Sequence, residues 1–368
     1  MTLGDSARSQ PQTEPQAVDY PLTRSSVFLV LTVHDDASSV DTARATVAGI
    51  GDLVKDVALR DLTRSVSCTV GIGARIWPAL VRGPAPAELH PFRVVEGQVH
   101  TAVSTPGDLF FHIRADRPDY VFELERIILA ALDGAVHVED ETVGFRYFDA
   151  RDLLGFVDGT ANPVGAELPE ATIVGAEDPA FAGGSYLVVQ KYLHPLDQWQ
   201  ALPTEMQEAI IGRTKPDNIE LDDATGDAQK SHKTLTTIVD ADGTELDVLR
   251  DNMPFGRPGA GEFGTYFIAY SRRLWVVEQM LERMFIGDPP GKHDRILDFS
   301  TAVTGSVFFV PSASFLDSLA DDDAVPDTTG TESSPPVSGD EPVATPAAPS
   351  DGSLGLGALR STPTERNS

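Results

Sequence analysis

GDLFFHIRADRPDYVFELERI, beginning at Gly107, resembles GTYFIAYSRRLWVVEQMLERM, beginning at Gly264, at an offset of 157 residues (264 less 107). A second pair keeps almost the same period. SSVFLVLTVHD from Ser25 and GSYLVVQKYLHP from Gly184 lie 159 residues apart (184 less 25). Two matches at nearly one offset suggest a duplicated module, although strand-helix pairs can also look alike by chance. Within the first copy, the β-branched run Val27 to Val33 has the pattern of a buried strand, and Ser38 to Val57 repeats apolar residues at helical spacing behind Asp/Ser capping candidates. Asp108 to Ile113 then reads as a strand and Pro118 to Leu132 as a helix, with Pro118 suited to the first turn. Strands and helices alternating in this order predict an α+β fold of two ferredoxin-like halves, roughly 23–150 and 180–316, within one domain over 23–316.

The flanks differ in character. Residues 1–22 are polar and Pro/Gln-containing, and read as a flexible arm. From Asp317 to Leu359 there is no Lys or Arg, while Pro, Ser, Thr, Ala and acidic residues accumulate. Such a composition buries too little apolar surface to offset its ordering entropy, so 317–350 reads as a disordered acidic linker. The leucines return in DGSLGLGALR, where Leu354, Leu356 and Leu359 alternate with glycines. Spaced leucines in a mobile tail, here 351–368, cannot build a core but can fill small pockets on a partner.

Charge and cysteine content then exclude several classes. A net charge of -28, from 56 acidic against 28 basic residues, argues against nucleic acid as a partner, since phosphate backbones are held by clustered Lys and Arg. Cys68 is the single cysteine and cannot form an internal disulfide; its apolar context SVSCTVGIGA suits a small core hydrophobe. No apolar run reaches membrane-spanning length, and the N-terminus has neither a hydrophobic leader core nor a twin arginine, so no membrane association and a cytoplasmic location are expected.

The eight histidines (His34, His90, His100, His112, His137, His194, His232 and His293) show no H-E-x-x-H or other zinc-ligand spacing, and phosphate-cradling glycine loops and a G-x-S-x-G elbow are absent. Two clusters remain. In GFVDGTANP, Gly155 to Pro163, Asp158 sits among small and apolar residues, and Gly159 lets the backbone approach a flat ligand closely. Taken alone, DGTANP is a turn signal. SHKTLTTI contains His232, and VLRDNMPFG contains Arg250 and Asn252. A lone histidine is more often a surface or hydrogen-bonded core residue than a metal ligand.

Gly155 to Thr160 with Asn162-Pro163, IGRTK at Ile211 to Lys215, Ser231-His232, Asn252 to Gly256, QMLERMF at Gln279 to Phe285 and DRILDFSTAVTG from Asp294 together resemble the dye-decolourising peroxidases. The elements occur in that family's order and span roughly residues 25–316. The resemblance implies a dimeric α+β barrel, meaning two ferredoxin-like halves, that binds b-type haem (iron protoporphyrin IX). It further implies a peroxidase that reduces hydrogen peroxide while oxidising dyes, phenolics or other small donors through a ferryl intermediate. Carried over residue by residue, His232 corresponds to the axial iron ligand, with a second-shell carboxylate supplied by Asp294 or by its competitor Asp298. Gly159, Thr160 and Arg250 join His232 and Asp294 as haem-binding residues. Asp158 and Arg250 correspond to the peroxide-side base and charge stabiliser, and Asn252 to a hydrogen-bonding neighbour in the same pocket.

Several consequences follow from that likeness. A carboxylate base with an ordinary pKa of about 3.9 operates in acidic solution, so an acidic optimum is expected unless burial raises Asp158. Asp251 places an acid beside Arg250 where family members often carry a base, and Lys233 and Thr234 follow His232; these departures bear on substrate preference. Trp275, Tyr266 and Tyr270 fall on the second repeat, where such spacing more often means core than an electron path. Asp351 to Arg360 resembles the targeting peptides of encapsulin cargo proteins, which implies an encapsulin shell protein as partner and residence in a nanocompartment. The 34-residue linker would reach on the order of 30 Å as a coil. Homo-oligomers are common in the family. Competing readings are a haem-handling protein that extracts iron or chaperones haem through the same pocket, a chlorite-dismutating relative, and a binding module in which Asp158 is only a turn residue.

Overall fold

A computed structural model of the chain describes residues 14–61, 66–81 and 83–320. The repeat seen in the sequence becomes two copies of one topology. In the first, the strands Ser25–Val33, Val66–Gly73, Leu109–Ala115 and Val136–Phe145 are joined by helices after the first and third strands. Every pairing is antiparallel, and the fourth, first, third and second strands lie side by side in that order, which is the ferredoxin-like arrangement. The second copy repeats it: Leu249–Arg250 and Met253–Arg257 both pair with Glu262–Ser271, followed by Ser185–Leu193 and then Ser306–Val310.

Ser306–Val310 also pairs with Val66–Gly73, so the two halves share one ten-stranded sheet. The sheet curls until its far strands meet: a Cβ on Gly144 would lie 2.7 Å from Met253 Cβ. Contact this close tolerates no side chain at position 144. Inside the curl Phe28, Phe110, Leu187, Tyr266, Ile268 and Phe308 form an apolar core, and alternate residues of the same strands pack outward against the helices.

Several local expectations change. The helix expected over Ser38 to Val57 divides into Ala37–Ala48 and Ile50–Ala58, with Gly49 ending one and starting the other. Glycine disfavours a helix interior, and here it turns the second helix away from the first. Residues 14–22 are not a free arm. Gln16 is buried, donates to the carbonyls of Val70 (2.9 Å) and Pro311 (2.8 Å), and accepts from Val70 N at 2.7 Å, while Val18 enters the barrel core. Ordered structure also runs past the expected boundary at 317, because Ala313–Ser318 is helical and Leu319 is buried. The remainder of the expected linker, and the tail 351–368, lie outside the described residues, as does the start of the arm. Cys68 packs against the core, where burial pushes its thiol up to about 12. Tyr266 and Tyr270 are fully buried, whereas Trp275 is 40% exposed.

Candidate active site

A cavity of about 220 Å³ lies in the second half, between the helix Leu274–Phe285 and the strands Ser185–Leu193 and Glu262–Ser271. One water needs roughly 10–15 Å³ of such space, so the cavity is far too large for a few structural waters. Its walls are mainly apolar, with Leu154, Phe156, Phe267, Met280, Leu281 and Met284 among them. Polar and charged groups interrupt the apolar surface, among them Asp158, Arg250, Asn252 and His232, with Arg213, Glu245 and Asp247. A largely apolar chamber with convergent polar groups is the usual form of a cofactor site. Gly159 and Thr160 border it as well, whereas Asp294 lies behind His232.

His232 opens the short helix His232–Thr236, which is capped by the Ser231 hydroxyl accepting from Thr234 N. Its Nδ1 meets Asp294 Oδ2 at 2.6 Å, and Asp294 is fully buried. Asp294 is itself fixed, because its Oδ1 accepts from Ile296 N at 3.0 Å as the cap of the 3-10 turn Arg295–Phe299. Asp298, the competitor, faces away and bonds His100, His293 and Arg295. With the proton of His232 held on Nδ1, Nε2 keeps its lone pair and has no hydrogen-bond partner among the described residues. The other cavity histidine, His194, has both nitrogens engaged, by Thr265 Oγ1 at 2.9 Å and by Ser300 Oγ at 3.0 Å. Burial lowers it to about 4, so it stays neutral and offers no free nitrogen.

Asp158 follows a strained stretch in which Asp149 and Ala150 have φ of 43° and 59°, values that non-glycine residues seldom adopt. Its backbone N–H donates to Ala150 O at 2.9 Å. Gly159 takes φ +74°, and its N–H turns back to donate to Asp158 Oδ1 at 2.7 Å. Asn252 Nδ2 donates to the same oxygen at 3.3 Å, and Ile268 N steadies Asn252 by donating to its Oδ1 at 3.0 Å. No hydrogen bond reaches Oδ2 among the described residues, and Asp158 lines the cavity. Burial raises the carboxyl above its ordinary value, opposed by the Asn252 hydrogen bond and the Arg250 charge. The ordinary carboxylate value assumed from the sequence therefore does not hold for Asp158. Asp152 nearby is pushed up to about 7, by burial and then by the Asp158 charge.

Arg250 is tied to the Asp158 loop by a residue whose role the sequence did not reveal. The Asn162 side chain accepts from Arg250 N at 3.0 Å and donates to Arg250 O at 2.6 Å, a two-point clamp that mimics a strand neighbour. The Arg250 guanidinium makes no hydrogen bond among the described residues, and its Nε is buried without a partner. A buried, unpartnered guanidinium is costly unless it meets a ligand. Asp251 does not enter the cavity. On the extended chain it points the opposite way, into a buried pair with Arg114 Nη1 at 3.1 Å, although its charge still contributes to raising Asp158. Lys233 borders the cavity, but its ammonium is paired with Glu220 and Asp223. The signal for Asn162 was present in DGTANP, but an Asn in a turn usually bonds its own loop rather than a strand 88 residues away.

The N-terminal pattern of the Dyp-type peroxidases matches residues 15–146, and the C-terminal pattern matches 149–315. The chain belongs to the Dyp-type peroxidase family. A dye-decolorizing peroxidase of Mycolicibacterium paratuberculosis is 50% identical over 352 residues, 96% of this chain and 94% of the relative. Among solved structures, a heme complex of a DypB variant from Rhodococcus jostii superposes with a TM-score of 0.80 at 53% identity, covering 83% of this chain and 98% of that one. The encapsulated DyP-type peroxidase of Mycobacterium smegmatis gives a TM-score of 0.80 at 52% identity, over 83% of this chain and 98% of that one. Among the described residues of the peroxidase, no helix is long and apolar enough to cross a membrane.

Proposed function

We propose that this peroxidase holds b-type haem in the cavity with His232 Nε2 on the iron, and acts on hydrogen peroxide from the side of Asp158, Arg250 and Asn252. The observation that carries the reading is the His232–Asp294 pair: a buried carboxylate at 2.6 Å fixes one imidazole nitrogen and leaves the other free toward an apolar chamber. The donor set fits the group. Imidazole supported by a carboxylate is a basic iron ligand, apolar walls suit a flat macrocycle, and Gly159 and Thr160 border the space it would fill. The heme complexes of DypB support the same cofactor. When bound, haem supplies the redox chemistry that couples cleavage of the peroxide O–O bond to oxidation of dyes, phenolics or other small donors.

The chain's own groups handle protons and charge. Asp158 takes the peroxide proton at Oδ2 and returns it to the outer oxygen, while its Oδ1 stays tethered by Gly159 and Asn252. Arg250, its backbone clamped by Asn162, provides a cation for the negative charge that grows on the departing oxygen. Asn252 holds Asp158 in place and lowers the pH at which it is ready to accept.

Peroxide-dependent turnover of a small phenol or dye by the haem-loaded chain tests the reading. Asp158→Asn and Arg250→Leu are each expected to reduce kcat/KM by about 10²–10⁴-fold, the range for a positioned proton-transfer group or charge stabiliser. Iron release without peroxide-dependent oxidation would support a haem-handling protein instead. Residues 351–360 are the encapsulin-binding segment, and the peroxidase resides in a cytoplasmic nanocompartment. The DGSLGLGALR sequence and the encapsulated Mycobacterium smegmatis neighbour support this part of the proposal.

A further inference from the structure

Outside the haem cavity, one group of side chains converges in a way that the peroxidase reaction does not use. His100 Nε2 and His293 Nε2 both meet Asp298 Oδ1, at 3.0 and 2.9 Å. The three ligand atoms lie within 4.8 Å of one another, and none of the three residues lines the cavity. Arg295 Nε holds the other carboxylate oxygen at 3.0 Å, which orients Oδ1 toward the two rings. All three side chains are partly exposed, so an aqueous cation can reach them.

We propose that His100, His293 and Asp298 form a second metal site that takes a divalent cation of the zinc class. Two imidazole nitrogens and one carboxylate oxygen are a ligand set for zinc, and three protein ligands leave room for water. Ligand atoms about 2.1 Å from a metal stand about 3.0–3.4 Å apart at right or tetrahedral angles. Two of the three edges already have nearly that length, so the two rings alone have to close toward each other.

The backbone beneath the site is built for the approach. His100 ends a tight turn between the paired segments Val95–Glu96 and Thr101–Ala102, closed by Gly97 N donating to His100 O at 3.0 Å. A Cβ on Gly97 would lie 2.0 Å from Phe285 O, so the hairpin sits directly on the end of the helix Leu274–Phe285. Beyond that helix the chain returns with Gly291 against the Gln98 side chain and presents His293 to His100. The cation ties this hairpin to the segment that carries Asp294, the partner of His232.

The test uses untagged, haem-loaded full-length protein dialysed against zinc alone, with bound zinc and iron counted together by elemental analysis. His100→Ala, His100→Gln and Asp298→Asn are compared with the wild type, and His90→Ala, at a site paired with Glu278, serves as control. Circular dichroism and an unchanged iron count establish that each variant is folded. One zinc equivalent per chain at micromolar free zinc is expected, weakened at least about tenfold in the three site variants and retained in His90→Ala. Absence of that equivalent in the wild type, or equal zinc in folded site variants, would overturn the assignment.

Discussion

Asp294→Asn separates two jobs that one buried carboxylate performs. Oδ1 caps Ile296 N, and Oδ2 accepts from His232 Nδ1. Asparagine caps a helical turn about as well as aspartate, so the turn Arg295–Phe299 should keep its geometry. The amide has a single oxygen, so with that oxygen on Ile296 N the group facing His232 Nδ1 is an NH2 that cannot accept from the ring, and the negative charge is gone as well. Neutralising such a partner costs about 10–100-fold in metal affinity, which is about 1.4–2.8 kcal/mol. The same loss favours ferrous over ferric iron, since a nearby anion stabilises the higher charge, so the reduction potential should rise. Haem titration into the apoprotein, followed by absorption with a competing haem acceptor, gives the affinity; a redox titration gives the potential. Asp294→Ala adds loss of the cap, about 1 kcal/mol of further stability, and separates the two contributions. If Asp294→Asn bound haem as tightly as the wild type at an unchanged potential, the pair would not support an iron ligand.

Further expectations come from the groups around the cavity. Asn252→Ala removes a hydrogen bond that lowers the Asp158 pKa, so the acid limb of kcat/KM against pH should move to higher pH. The sign follows from the native pKa being raised by burial: the protonated form is favoured in the folded state, and weakening the opposing hydrogen bond raises the pKa further. A limb that stays in place would assign it to another group. Asp251→Asn leaves Arg114 as an uncompensated buried charge and should cost about 3–5 kcal/mol in denaturant unfolding, and it also removes a charge that raises the Asp158 carboxyl. Deleting residues 351–368 should abolish co-assembly with an encapsulin shell protein while leaving peroxide turnover intact, as read by co-purification and a dye assay.

The duplicated architecture was legible because the repeat places equivalent strands at Ser25 and Ser185, and equivalent helices at Pro118 and Leu274. What escaped was set by tertiary contact. Nothing in a polar segment announces that Gln16 will satisfy the backbone of Val70 and Pro311. The break at Gly49 was a local signal, but one glycine in an otherwise helical pattern does not fix a turn. At the site, motif resemblance marked Asp158, His232, Arg250 and Asn252, and the structure brings all four to one cavity. Choosing between Asp294 and Asp298 required their orientations on the turn Arg295–Phe299, and the outward turn of Asp251 required the strand register. The upward shift of Asp158 depends on burial, which neighbouring residue types do not reveal.

The absorption spectrum of haem-reconstituted protein, wild type beside His232→Ala, before and after peroxide, bears most directly on the account. A Soret band in the wild type that peroxide converts to an oxidised spectrum, lost or displaced in a folded His232→Ala, is the predicted result. A Soret band and peroxide response identical in the two proteins would contradict it, because the iron would then be held by some residue other than His232.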